Sequence, residues 1–252
     1  MLKTTLFEAD KLFNKFDLET VVVYPSDDGH CCMSCHTNDD LAYVYVKNKN
    51  SGYDTKEFAI RSWSSIHSII GSFYNTESAE TFKINVEKDS SDYPSVLKIA
   101  NGRIKMTHYL QNYTFLSNQS ELLESYKNKK FQLGQLRDGN AEDLDEGYVK
   151  DICKLSGLLN EKFFRICGEN GTNYIYFGDE NQSVDNGKIC IGNIGGLNQW
   201  KPEMHFSVEY FSAMYRSMAD LDVKIKFTPQ QIIMIGESET STKVAILRGK
   251  NM

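Results

Sequence analysis

Apolar residues in this chain recur at two periods, and the order in which those periods alternate is the same in both halves. A spacing of three and four residues, which gathers side chains on one stripe of a helix, runs through Ala9–Phe16, Trp63–Phe73, Tyr148–Leu159 and Val208–Met218. Short alternating runs, which send every second side chain to one face of a strand, lie between them. In the first half these are Thr20–Pro25, His30–Cys35, Leu41–Lys47 and Lys56–Ile60, then Phe82–Val86, Val96–Ile99 and Arg103–Thr107 after the second helix. In the second half they are Phe163–Cys167, Tyr174–Gly178, Lys188–Gly192 and Met204–Val208, then Val223–Phe227, Ile232–Ile235 and Lys243–Leu247. Phe131–Leu136 reads as a strand opening that half. Each half is helix, four strands, helix, three strands. A repeat of this kind predicts two similar modules in tandem, each α+β with helices on one face of antiparallel sheets.

The polar stretch Asn118–Lys129, apolar only at Leu122, Leu123 and Tyr126, is the expected connector between a first domain over 1–117 and a second over 130–252. The acidic run Asp138–Glu146 reads as a solvated loop. At 252 residues, each half is long enough to bury a core. No run approaches the roughly 18 apolar residues that span a bilayer, and Glu8 interrupts the N-terminus before any secretory apolar region forms. The sequence therefore predicts a cytoplasmic protein without a membrane partner, whose six cysteines are free thiols.

A net charge of −6 changes the picture, because a simple nucleic-acid-binding module concentrates enough Lys and Arg to be basic as a whole. The helices nevertheless lean basic on their polar sides. Opposite the stripe Ala9, Leu12, Phe13, Phe16 lie Lys11 and Lys15; opposite Trp63, Ile66, Ile69, Ile70, Phe73 lie Ser64, Ser68 and the preceding Arg61. Lys150 and Lys154 oppose Val149, Ile152, Leu155 and Leu159, and Ser212 and Arg216 oppose Phe211, Met214, Tyr215 and Met218. A lysine pair on one exposed helix is ordinarily a solvated face, and Glu8, Asp10, Asp151, Glu209 and Asp220 lie close by. Recurrence in all four equivalent helices is what carries weight. Placed on one side of a sheet, such cations form a surface that contacts phosphates without reading bases.

His30-Cys31-Cys32-Met33-Ser34-Cys35-His36 holds the Cys-x-x-Cys-His spacing of haem attachment and half of a zinc site. Haem attachment of this type accompanies export, and zinc needs two further ligands. In a strand, Cys32 and Cys35 also point to opposite faces. The cluster is therefore read as part of a half-buried strand, with a small Cys/His metal or redox protein as the alternative. Gly192-Asn193-Ile194-Gly195-Gly196 lacks the Lys-Ser/Thr of a phosphate loop. No nucleophile–base grouping has motif spacing, so neither an enzyme nor a cofactor is expected.

The order of elements resembles the DNA polymerase sliding clamps, and within them the two-domain processivity clamps of T-even bacteriophages, related in fold to PCNA. The resemblance is carried by Phe58–Phe73 leading through Val96–Ile104, and by Phe206–Leu247. It implies that the helices line a channel around duplex DNA, with Lys11, Lys15, Arg61, Lys150, Lys154 and Arg216 as sequence-independent phosphate contacts. Six modules per ring and two per chain imply a homotrimer, closed head-to-tail by edge strands at Arg103–Leu110 (Arg103, Lys105, Met106) and Lys188–Ile191 (Lys188, Ile189, Ile191). It further implies a DNA polymerase as tethered partner, a clamp loader ATPase, and a peptide pocket near Ala245, Ile246 and Leu247. A clamp-fold scaffold in viral transcription that forms no ring is the other reading.

Overall fold

The computed structural model describes residues 2–18, 20–26, 28–52, 56–74, 82–111, 142–143, 146–178, 185–192, 204–227 and 230–251. The expected connector at 118–129, the strand at 131–136, the glycine-rich stretch at 193–196 and positions 138–141 and 144–145 of the acidic run lie outside them. The chain divides into two compact units. Unit 1 comprises Met1–Asn38, Tyr43–Gly134 and Glu237–Lys243; unit 2 comprises Asp39–Ala42, Gln135–Gly236 and Val244–Met252. Among the described residues no helix is long and apolar enough to cross a membrane.

Unit 1 begins with helix α1 (Leu2–Phe13) and strands β1 (Thr20–Pro25), β2 (His30–His36), β3 (Ala42–Gly52) and β4 (Phe58–Arg61). These strands are ordered β4-β1-β2-β3. Helix α2 (Trp63–Tyr74) and a second sheet ordered β5-β6-β7 follow, with β5 at Phe82–Lys88, β6 at Pro94–Asn101 and β7 at Ile104–Tyr109. Just past β7, Gln111 and Ala59 of β4 exchange two backbone hydrogen bonds of 3.0 Å. Helix α1 starts seven residues before the expected Ala9, because buried Thr5 and Leu6 extend the apolar stripe backwards. Packing on β2 outweighs the weak helix preference of the two threonines. The helix ends at Phe13, so Lys15 sits in the turn beyond it. Phe13 and Trp63 meet edge to face with ring centroids 5.2 Å apart, locking α1 to the start of α2.

Unit 2 holds β8 (Glu142–Asp143), helix α3 (Glu146–Leu159), β9 (Phe163–Glu169), β10 (Thr172–Phe177), β11 (Gly187–Gly192), β12 (Phe206–Ser207), helix α4 (Val208–Arg216) and β13 (Asp222–Phe227). Strand β14 spans Gln231–Glu237 and β15 spans Ser241–Arg248, the latter with Val244–Arg248 in this unit. One sheet is ordered β11-β10-β9-β12, and the other strands run β15-β14-β13-β8. The acidic run is not wholly loop. Glu142 and Asp143 pair antiparallel with Ile225 and Lys224, which covers backbone groups that β13 would otherwise leave unpaired. Asn170 and Gly171, at φ of 50° and 83°, make the two-residue hairpin that joins β9 to β10. The core is aromatic. Phe164 lies 6.0 Å from Phe177, 5.8 Å from Phe206 and 5.3 Å from Phe211, ring centroid to ring centroid.

Strand β2 corrects one expectation. It is buried on both faces, not one, from Cys31 through Cys35. Thr5 of α1 hydrogen-bonds the Cys31 thiol from one side, while on the other Tyr24 lies across from Cys32 and the Tyr45 hydroxyl is 3.2 Å from its sulfur.

Candidate nucleic-acid interface

The buried stripes of α1, α2, α3 and α4 fix which residues remain on their outer sides. In α1, Ala9, Leu12 and Phe13 are fully buried, leaving Lys11 exposed, with Lys15 exposed in the following turn. In α2, Trp63, Ile66, Ile69 and Ile70 are buried, and Arg61, Ser64 and Ser68 are exposed. In α3, Val149 and Ile152 are buried while Leu155 and Leu159 are only half-buried, and Lys150 and Lys154 are exposed. Leu158 of α3 is 73% exposed. In α4, Phe211, Met214 and the trailing Met218 are buried and Arg216 is exposed. Ser212, expected to face outward, is buried. Its hydroxyl accepts a hydrogen bond from the Cys153 thiol at 3.4 Å, because α4 packs against α3 along that side.

Local chemistry sets each helix in place. Ser207 caps α4 by accepting from the Tyr210 N–H at 3.3 Å, and Arg216 occupies its last turn, where the helix dipole favours a cation. Asn160, at φ 54°, ends α3 in the left-handed conformation common at helix C-termini. Leu155 of α3 seats directly over Gly187 of β11, where a Cβ would stand 2.9 Å from its methyl carbons.

The two helix pairs differ in what fills the contact between them. Between α1 and α2, Nδ1 of His67 lies 2.9 and 3.0 Å from the two carboxylate oxygens of Asp10, which is 8% exposed. Burial raises the Asp10 carboxyl above its ordinary range, outweighing the imidazole that opposes it. Lys11 is held 3.0 Å from Glu8, and the same carboxylate lies 3.5 Å from the fully buried Lys243 ammonium. Between α3 and α4 lies instead a groove of ≈ 270 Å³ lined by Val149, Lys150, Cys153, Tyr215 and Arg216. Two expected phosphate contacts, Lys150 and Arg216, thus stand on one groove from different helices. The sequence reading missed both the groove and the Asp10–His67 pair. Cys153 follows Lys150 by three residues and so shares its helix face, but Tyr215 and Arg216 join them only through packing.

The remaining expected site residues fall on edges and in the core. Strand β7 is an edge of its sheet, with Ile104, Met106 and Tyr109 exposed by 54%, 38% and 76%. Lys105 is exposed on it and Arg103 lies in the preceding turn. Strand β11 is an edge of its own sheet, with Lys188 exposed and Ile189 and Ile191 half-buried. The Lys188 ammonium is 3.3 Å from Glu169 and 4.6 Å from the centre of the Tyr174 ring. Ala245, Ile246 and Leu247 are 0%, 6% and 0% exposed, which makes them core residues of β15.

The cysteines of β2 are divided between its two faces. Cys31 and Cys35 share the face towards α1 while Cys32 faces the tyrosines. Burial pushes the Cys31 thiol up to about 12 and Cys35 well above the ordinary thiol range.

No family model and no curated protein matches the chain. Solved structures do. The structure of the C-terminal region of FEN-1 bound to A. fulgidus PCNA matches with a TM-score of 0.58 at 11% identity, over 98% of this chain and 95% of that one. Proliferating Cellular Nuclear Antigen from Entamoeba histolytica matches with a TM-score of 0.54 at 13% identity, over 98% and 95%. The chain has a PCNA-like clamp fold. That α+β clamp fold accounts for the repeated order of helix, four strands, helix and three strands, and it spans nearly the whole chain.

Proposed function

We propose that this protein is a sliding clamp, a non-enzymatic ring that encloses duplex DNA and tethers a DNA polymerase. The observation that carries the reading is the likeness to PCNA over 98% of the chain. Charge supports it. In a chain of net charge −6, the outer sides of the helices and their flanking turns expose Lys15, Arg61, Lys150, Lys154 and Arg216. Lys11 is exposed as well and stands 3.0 Å from Glu8. Enclosure makes tight binding unnecessary, so a few salt-sensitive phosphate contacts suffice and sliding is preserved.

In this reading two units per chain give a homotrimer of the kind found in T-even bacteriophage clamps, opened by a separate loader ATPase. The β7 and β11 edges pair head-to-tail between subunits, which would cover the apolar side chains of Ile104, Met106 and Tyr109. The peptide pocket is not assigned to Ala245–Leu247, whose side chains are already buried.

Two measurements test the proposal. Light scattering should give three times the 28.8 kDa chain mass across the micromolar range, and Met106→Glu should give the monomer. On linear duplex DNA at low salt, protein threaded over free ends should be retained when both ends are blocked afterwards, and lost when they stay open. A monomer at tens of micromolar, together with retention indifferent to end blocking, would overturn the reading.

A further inference from the structure

The two halves repeat one another, and the repeat exposes a difference at one sheet edge. Strands β5 and β13 hold the same place in their halves: each follows the second helix and opens a run of three strands. Their sequences agree there, Phe82-Lys83-Ile84 against Val223-Lys224-Ile225. In unit 2 the outer edge of β13 is occupied. Strand β8 lies on it antiparallel, with Asp143 across from Lys224 and Glu142 across from Ile225. In unit 1, among the described residues, β5 ends its sheet.

Burial follows this difference. Ile225, beside β8, is 1% exposed. Ile84 and Val86 of β5 are only half-buried, although Ile99 and Leu97 across from them on β6 are buried. Helix α1 reaches this face only at the start of the strand, where the Phe7 and Phe82 ring centroids are 5.4 Å apart. Every second residue of β5 turns its N–H and C=O away from β6. The edge therefore offers an incoming strand backbone hydrogen bonds and a strip of partly exposed apolar surface. Charge selects which strand fits. Lys83 is exposed, while further along β5 Glu87 lies 2.6 Å from Lys98 and Lys88 lies 3.0 Å from Asp92. A carboxylate is favoured across from Lys83, which is the pairing that Asp143 makes with Lys224.

We infer that β5 docks an extended acidic segment of a partner protein. The segment adds antiparallel to the edge, with a carboxylate across from Lys83 and apolar side chains across from Ile84 and Val86. The inference does not depend on the clamp reading. It is compatible with that reading, because a ring closed through β7 and β11 uses the opposite edge of the β5-β6-β7 sheet.

The probe is a blocked, fluorescein-labelled peptide, Thr-Val-Thr-Val-Asp-Thr, with a control in which Lys replaces the Asp. By fluorescence anisotropy, full-length protein should bind the Asp peptide about three- to tenfold more tightly than the Lys peptide. Lys83→Glu, a change at an exposed side chain, should reverse that order. Bound Asp peptide should slow amide hydrogen exchange within β5 and leave β7, β11 and β13 unchanged. No binding of either peptide up to about 1 mM, an order that Lys83→Glu fails to reverse, or protection on β7 or β11 instead would overturn the assignment. So would light scattering showing association beyond a trimer that Lys83→Glu abolishes, because a second copy would then occupy the edge. None of these results bears on whether the ring forms or encloses DNA, so the clamp reading stands or falls by its own measurements.

Discussion

Phe164 is the most exacting place to perturb the fold beneath the candidate interface. Its ring is fully buried and contacts three others, on β10, β12 and α4, at centroid distances from 5.3 to 6.0 Å. Truncation to Ala removes the transfer free energy of the ring and leaves a cavity between sheet and helix, at a cost of about 3–5 kcal/mol. Leu keeps much of the apolar volume but loses the ring contacts, of which the edge-to-face pair with Phe211 is the best formed. Aromatic pairs add about 0.5–1.5 kcal/mol each beyond their buried area, so with the well-formed Phe211 pair as the main loss Phe164→Leu should cost about 1–2 kcal/mol. Net stabilities are only about 5–15 kcal/mol, so the Ala variant forfeits a large share. Urea unfolding followed by circular dichroism is the assay. With a slope of about 2 kcal/mol per molar, the midpoint should fall by roughly 2 M for Ala and by less than 1 M for Leu. A loss under about 1 kcal/mol for Phe164→Ala, at unchanged slope, would mean that the aromatic cluster does not hold α4 to the sheet.

Two further outcomes follow from burial. The raised Asp10 carboxyl means that the folded state binds its proton more tightly than the unfolded chain does. Its contribution therefore falls as pH rises from the unfolded value, about 4, through the higher folded value, and stays low above it. Asp10→Asn should accordingly gain stability relative to wild type as pH rises across that window in thermal unfolding, and parallel curves would show that the carboxyl is not penalised by burial. Among the thiols, Cys190 should react rapidly with a thiol-specific disulfide reagent in the monomeric Met106→Glu protein and Cys153 more slowly. The buried Cys31, Cys32, Cys35 and Cys167 should react only after denaturant is added. Fast native labelling of Cys31 or Cys35, located by peptide mapping, would contradict the two-sided burial of β2.

The sequence alone determined most of the described elements and their order, because side-chain periodicity is a local property. Ala9, Leu12 and Phe13, or Trp63, Ile66 and Ile70, can share a face only on a helix, and the alternating runs only on strands. The order of those elements resembled the clamp fold that the solved structures share, and helical projection placed Lys11, Lys150 and Arg216 on outer sides, where all three are exposed. What covers a face, and which charge meets which, is not local. Cys31 through Cys35 read as half-buried until α1 and two tyrosines closed over both faces. Ser212 was expected outside, and the packing of α3 on α4 buried it. Lys11 resembled Lys150 in pattern, yet the first stands 3.0 Å from Glu8 while the second borders a groove shared with Arg216. Periodicity decides which residues share a face, but only packing between elements distant in sequence decides whether that face meets solvent, a carboxylate or another helix. That difference separates six interchangeable cations in the sequence from the two that the tertiary structure brings onto one groove.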